Sequence, residues 1–108
     1  MKILLYHLLT LFIIIFTKGT LLSQSVDISG IVLDNSKNTP LHGADIYIER
    51  LGLGTSSEVD GSFKVNKLPM GEISIKISMM GYKEVNKLLV LENTHMDLGR
   101  IFLSLDTL

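Results

Sequence analysis

Groups able to do acid–base, metal or nucleophilic chemistry are few in this chain and stand far apart. Its three histidines are His7, His42 and His95. None has metal-ligand spacing to another histidine or to a carboxylate, so no zinc site is indicated. Cysteine is absent, which removes thiolate metal sites, a catalytic thiol, a lipidated leader and a disulfide framework. Glu58-x-Asp60-Gly61 has the start of a calcium loop, but the other oxygen ligands and the closing bidentate acid are missing. Asp60 therefore reads as a turn residue that accepts backbone hydrogen bonds. Ser56, Ser57 and Ser62 lack a nucleophile-elbow context. Gly52, Gly54 and Gly61 open no helix, so they form no phosphate cradle. Tyr47 and Tyr82 are sugar-stacking platforms only if both lie on one exposed face; as strand aromatics they also pack well across neighbours. With 10 Lys and Arg against 11 Asp and Glu, net −1, the balance gives no electrostatic reason to expect nucleic acid. No catalytic, metal-ligating or cofactor-binding set emerges, which points away from an enzyme.

What the sequence does carry is a scaffold. The chain has 108 residues, enough for one domain. Two-residue alternation recurs along it, broken by Gly, Pro, Asn and Asp. Ile73, Ile75, Ile77 and Met79 point one way while Ser74, Lys76 and Ser78 point the other, as in a strand with one dry face. Val26, Ile28, Gly30 and Val32 repeat the pattern, as do Ala44, Ile46 and Ile48, then Phe63 and Val65, then Ile101, Leu103 and Leu105. Gly54 to Glu58 reads as a short strand and Tyr82 to Leu91 as a less regular one. Asp60-Gly61 is the strongest hairpin signal. Leu68-Pro69-Met70-Gly71 suits a type I turn, Gly81 needs a positive φ, and His95 falls in the Asn93-Thr94-His95 turn. Six or seven short strands without helices predict a small antiparallel β-sandwich.

The N-terminus differs in kind. Ile3 to Thr17 carries no formal charge, with Lys2 before it and Lys18 after it. A helix of that length spans roughly 22 Å against a hydrocarbon core of roughly 30 Å. Residues 1–23 therefore read as a secretory signal peptide cut after Ser23 or Gln24, with an uncleaved anchor as the alternative. The domain is then 24–108, exported to the periplasm or the periplasmic face of an outer membrane. All 11 acidic residues stay while two of the 10 basic ones, Lys2 and Lys18, leave, so the net charge moves from −1 to −3.

The strand and turn signals, in order, resemble the carboxypeptidase regulatory-like domain. Ile28-Ser29-Gly30-Ile31-Val32-Leu33-Asp34 is similar to its opening, and Pro40-Leu41-His42-Gly43-Ala44-Asp45-Ile46 to its Pro-Leu-x-Gly-Ala-x-Val segment. Gly54-Thr55-Ser56-Ser57-Glu58-Val59-Asp60-Gly61-Ser62-Phe63 resembles its Gly-Thr-x-Thr-Asp-x-x-Gly-x-Phe segment, with Ser57 and Glu58 as departures. Pro69, Gly71, Gly81 and Tyr82 complete the likeness. The resemblance implies a seven-stranded antiparallel Greek-key sandwich of transthyretin (prealbumin) type, in which these residues are structural. It also implies an accessory module without peptidase activity, as found behind the signal peptide of TonB-dependent outer-membrane receptors. The expected function is a non-enzymatic envelope interaction module, from a truncated receptor or standing alone. Its partner would be an envelope protein, such as a receptor plug or barrel, joined by strand-edge pairing. The expected edges are Leu98 to Leu105 and Val26 to Leu33. A carbohydrate-binding module is the alternative, and it depends on the two tyrosines.

Overall fold

The computed structural model describes residues 2–7 and 24–106. Residues 2–7, at the start of the expected leader, are helical. Residues 8–23 of that leader lie outside the described residues.

Seven strands follow: β1 (Ser25–Asp34), β2 (Asp45–Ile48), β3 (Leu53–Ser56), β4 (Ser62–Pro69), β5 (Gly71–Ser78), β6 (Val85–Leu91) and β7 (His95–Leu103). One 3-10 turn, Glu49–Leu51, links β2 to β3. The strands form two sheets, ordered β4-β1-β7 and β3-β2-β5-β6. The expected β-sandwich is present. One ladder departs from the antiparallel expectation: β1 and β7 run parallel. Parity explains it. Each connection reverses the chain, so odd-numbered strands share a direction, and β1 and β7 are the one neighbouring pair that is odd with odd.

The alternating residues fill the space between the sheets. Val26, Ile28 and Val32 of β1, Ile46 and Ile48 of β2, Ile73, Ile75 and Ile77 of β5, and Ile101 and Leu103 of β7 are all buried. Each such side chain contributes roughly 1.5–3 kcal/mol of gross transfer free energy. Every member of this core lies between Val26 and Leu103, so residues 24–106 contain a complete core of their own.

Two glycine–aromatic pairs lock neighbouring strands. Gly30 on β1 sits opposite Phe63 on β4, and a Cβ there would come within 2.7 Å of the Phe63 ring. The ring therefore lies across the glycine inside the core. Gly54 on β3 sits opposite Tyr47 on β2, and a Cβ there would come within 3.3 Å of the Tyr47 ring and 2.9 Å of the Ile46 carbonyl. This second pair lies on the outer face, where an aromatic shields the bare backbone of an edge strand.

Four local expectations are corrected. Asp60-Gly61 does not close a hairpin: β3 and β4 belong to different sheets, and the turn carries the chain across the sandwich. His95 opens β7 instead of sitting in a turn, and β6 begins at Val85, leaving Tyr82 in a separate bridge to Leu105. Val26 to Leu33 is not an edge, because β1 is paired on both sides.

Candidate functional site

Two corners hold several of the residues singled out by the sequence. At the end of β1, the Asp34 side chain is 97% removed from solvent, with a relative exposure of 3%. Its Oδ1 accepts hydrogen bonds from the Ser36 N–H (2.8 Å), the Ser36 hydroxyl (2.9 Å) and the Lys37 N–H (2.9 Å). Its Oδ2 accepts one from the Tyr82 hydroxyl at 2.7 Å. The Tyr82 bond, followed by the Lys37 and Ser36 donors, holds the Asp34 carboxyl well below the ordinary carboxylate range. The same bond and the nearby charge raise Tyr82, with desolvation adding to the rise, so its proton is retained. Gly81 supports this corner: its φ is +87°, and its carbonyl accepts from the Asp106 N–H at 2.9 Å.

The second corner is built around the turn from β3 to β4. Gly61 has φ +82°, and a Cβ there would lie 2.5 Å from the Val32 carbonyl and 3.2 Å from Pro40. Only glycine lets the turn reach β1, where the Val32 N–H donates to the Gly61 carbonyl at 2.8 Å. Asp60 caps the Ser62 N–H at 3.0 Å and also takes the Ser62 hydroxyl, which lowers its pKa. Ala44 is buried beside this turn and Thr55 lies on β3. Gly43 and Gly71 sit at chain reversals with positive φ, and Pro69 ends β4.

Ser57 is the residue that sequence reasoning missed. It is buried, its hydroxyl donates to the Leu41 carbonyl at 2.6 Å, and it accepts from the Ala44 N–H at 2.9 Å. It pins the loop before β2 to the strand after it. The signal for it was its place in the Gly-Thr-x-Thr-like segment, read above as a departure.

Among the described residues no three His, Asp or Glu side chains converge as a metal site; Asp34 Oδ1 and Asp60 Oδ1 are taken up by their own turns, and Asp34 Oδ2 by the Tyr82 hydroxyl. Tyr47 and Tyr82 do not share a platform. Tyr47 is exposed on the outer face of the four-stranded sheet, while Tyr82 packs against the core with its hydroxyl on Asp34.

The sheet edges remain. β4 and β7 bound one sheet; β3 and β6 bound the other. β4 is bulged, with two β1 steps matched by three of β4, and the extra residue brings Lys67 to φ +61°. Its Pro69 offers no N–H. β7 is an edge, as expected, but it too is bulged between Asp97 and Arg100. There Gly99 adopts φ +69° and donates its N–H to Asp97 Oδ1 at 2.8 Å. Bulges of this kind spoil an edge as a template. β3 has only four residues.

β6 differs. All seven of its residues pair with β5 without a register break, from Gly71↔Leu91 to Ile77↔Val85. On its outer face Leu88 is 68% and Val90 52% exposed. On its core-facing row Val85, Lys87 and Leu89 are half-buried and Leu91 is buried. A shallow depression beside it is lined by Tyr47, Arg50, Glu72, Ser74, Lys76 and Leu88. The Arg50 guanidinium donates to the Glu72 carbonyl at 3.4 Å, and Lys76 pairs with Glu84 at 3.7 Å.

A family model described as the CarboxypepD_reg-like domain matches residues 28–106. The chain belongs to the CarboxypepD_reg-like domain family. No curated protein matches it. Its fold resembles a chain of the type II cohesin–X-dockerin complex of Acetivibrio cellulolyticus, in an N-terminal interface mutant (TM-score 0.61, 16% identity, 69% of this chain and 52% of that one). It also resembles the Bacillus anthracis TIE protein (TM-score 0.61, 16% identity, 76% and 17% covered). A third likeness is to the pilus 2b backbone protein of group B streptococcus (TM-score 0.59, 12% identity, 77% and 42% covered). This CarboxypepD_reg-like domain spans about half or less of each of those chains. At such identities the likeness is one of fold.

Proposed function

We propose that this CarboxypepD_reg-like domain is a non-catalytic interaction module of the cell envelope, serving a TonB-dependent outer-membrane receptor. It docks by accepting an extended segment of the receptor's plug or barrel along β6. The observation that carries the reading is the unbroken β6 edge with two exposed aliphatic side chains on its outer face. Main-chain hydrogen bonds would supply the attachment, and the alternate side chains its register. The charge-free run from Ile3 to Thr17 supports export, and the family membership supports an accessory role.

Photo-crosslinking in a bacterial host carrying a TonB-dependent receptor tests it. A benzophenone amino acid is placed at Leu88 on β6 or at Thr55 on β3, with the protein expressed behind its own leader. The expected result is an adduct to plug or barrel peptides, identified by mass spectrometry, from position 88 and not from 55. Receptor adducts from neither position, or equally from both, overturn it.

A further inference from the structure

We infer that the β6 edge admits extended segments bearing a carboxylate on their core-facing row, and that Lys87 is the group that selects them. The inference rests on β6 being the docking edge and adds the chemistry of what docks.

Lys87 stands in an unusual place for a lysine. It is on the core-facing row of β6, between Val85 and Leu89, both of which pack against the core. Its partner across the ladder is Ile75, which is fully buried. Among the described residues the Lys87 ammonium has no hydrogen bond and no ion pair. The nearest acids in sequence cannot serve it. Glu84 and Glu92 have the outer-face parity, and Glu84 is already paired with Lys76 at 3.7 Å.

Residues directly opposite in neighbouring strands share a face, with Cβ atoms about 4.5–5.5 Å apart. A segment added along β6 therefore sets one residue against Lys87 and covers it from water. An aliphatic residue there leaves a desolvated ammonium without a partner; a lysine adds repulsion; a carboxylate satisfies it. Inward-pointing charges of this kind also guard an edge against indiscriminate pairing.

The same geometry argues against a second copy of this chain. When β6 pairs antiparallel with another β6 about a two-fold axis normal to the sheet, core-facing residues meet core-facing residues. That row holds Val85, Lys87, Leu89 and Leu91, with no carboxylate. The outer face invites association through Leu88 and Val90, while the core-facing row rejects the chain's own strand. The occupant that fits is a partner strand of the pattern apolar, any, acidic, any, apolar, whose two apolar side chains lie beside Val85 and Leu89.

Two synthetic strand peptides test this. Both carry valine two positions either side of the centre and threonine between; one has glutamate at the centre, the other lysine. Each is titrated into 15N-labelled residues 24–108, which contain the whole core, and the β6 amide resonances are followed. The glutamate peptide is expected to bind at least about tenfold more tightly, and Lys87→Glu to reverse the order. A second variant, Lys87→Met, is expected to bind both peptides alike and to self-associate in sedimentation. Equal binding of the two peptides by the wild-type domain, or an order unchanged in Lys87→Glu, overturns the charge selection and leaves β6 as the docking edge. If neither peptide perturbs β6 amides, the docking edge itself fails, and the selection with it.

Discussion

The two flanks of this sandwich solve the same problem differently. On the β3–β4 flank the chain closes its own core: a four-residue edge strand, the Gly61 turn seated against β1, and the buried Ser57 hydroxyl tie the sheets together. On the β6–β7 flank a seven-residue unbroken edge stands beside a bulged one, and Val85, Leu89, Met96 and Leu98 are only half-covered. The difference teaches where to look for a partner. A flank whose edges are short or bulged is a poor template for another strand, whereas one with a long unbroken edge and half-covered apolar groups gains free energy when a further strand arrives.

The comparison is broken most severely by Gly61→Val. A β-branched residue at φ +82°, with its Cβ 2.5 Å from a carbonyl oxygen, is expected to cost about 3 kcal/mol or more. Urea denaturation should find the domain largely unfolded without denaturant.

Next come paired truncations of the core. Ile46→Ala, at a position with no exposure, is expected to cost about 3 kcal/mol. Leu89→Ala, on the half-covered flank, should cost about 1 kcal/mol because less area leaves water there. Equal losses would show that the second flank is as closed as the first.

Acid should separate the two corner aspartates. Both Asp34 and Asp60 have pKa values below the ordinary 3.8. Between the folded and unfolded values the unfolded chain binds more protons, so stability rises with pH. This contribution is fully present above about pH 4 and is lost as pH falls through the folded values. Asp34→Asn should flatten the acid limb of a urea-midpoint profile more than Asp60→Asn, because Asp34 has the more donors. Tyr82 has the opposite sign: its raised pKa gives a contribution present below about pH 10 and lost above it. Tyr82→Phe should remove that alkaline loss.

The smallest effect on stability is expected from the double variant Leu88→Thr, Val90→Thr. Both side chains are largely exposed, so the unfolding midpoint should stay within about 0.5 kcal/mol of wild type. Crosslinking from a probe at Asn86 should nevertheless be lost, which would separate docking from folding on this flank.

Much of the scaffold was legible from residue types. Alternation identified Ile73, Ile75 and Ile77 as core because a strand's side chains change face at each residue. The positive φ of Gly81 followed from its place between Met80 and Tyr82. The Asp34–Tyr82 bond was not legible, although both residues were singled out, because nothing local links groups 48 positions apart. Nor was the edge assignment. Val26 to Leu33 and Leu98 to Leu105 have similar patterns, yet one strand is central and the other terminal. Burial on the inner face is a property of one strand, while being an edge is a property of the whole sheet order. The docking candidate was passed over for the same reason. Tyr82 to Leu91 reads only as a less regular strand, because the run Leu88-Leu89-Val90-Leu91 does not alternate; the place of β6 at the end of its sheet is what leaves Leu88 and Val90 in water.

The sequence by itself determined six or seven short strands, the buried face of those that alternate regularly and the glycines and prolines at several corners, because two-residue periodicity and turn chemistry act within a few residues. The tertiary structure alone decided which strands are neighbours, which ladder runs parallel and which edge is left open. Those outcomes depend on the direction and order in which reversals stack strands into two sheets, and on Lys87 having an uncovered place in the row that faces the core.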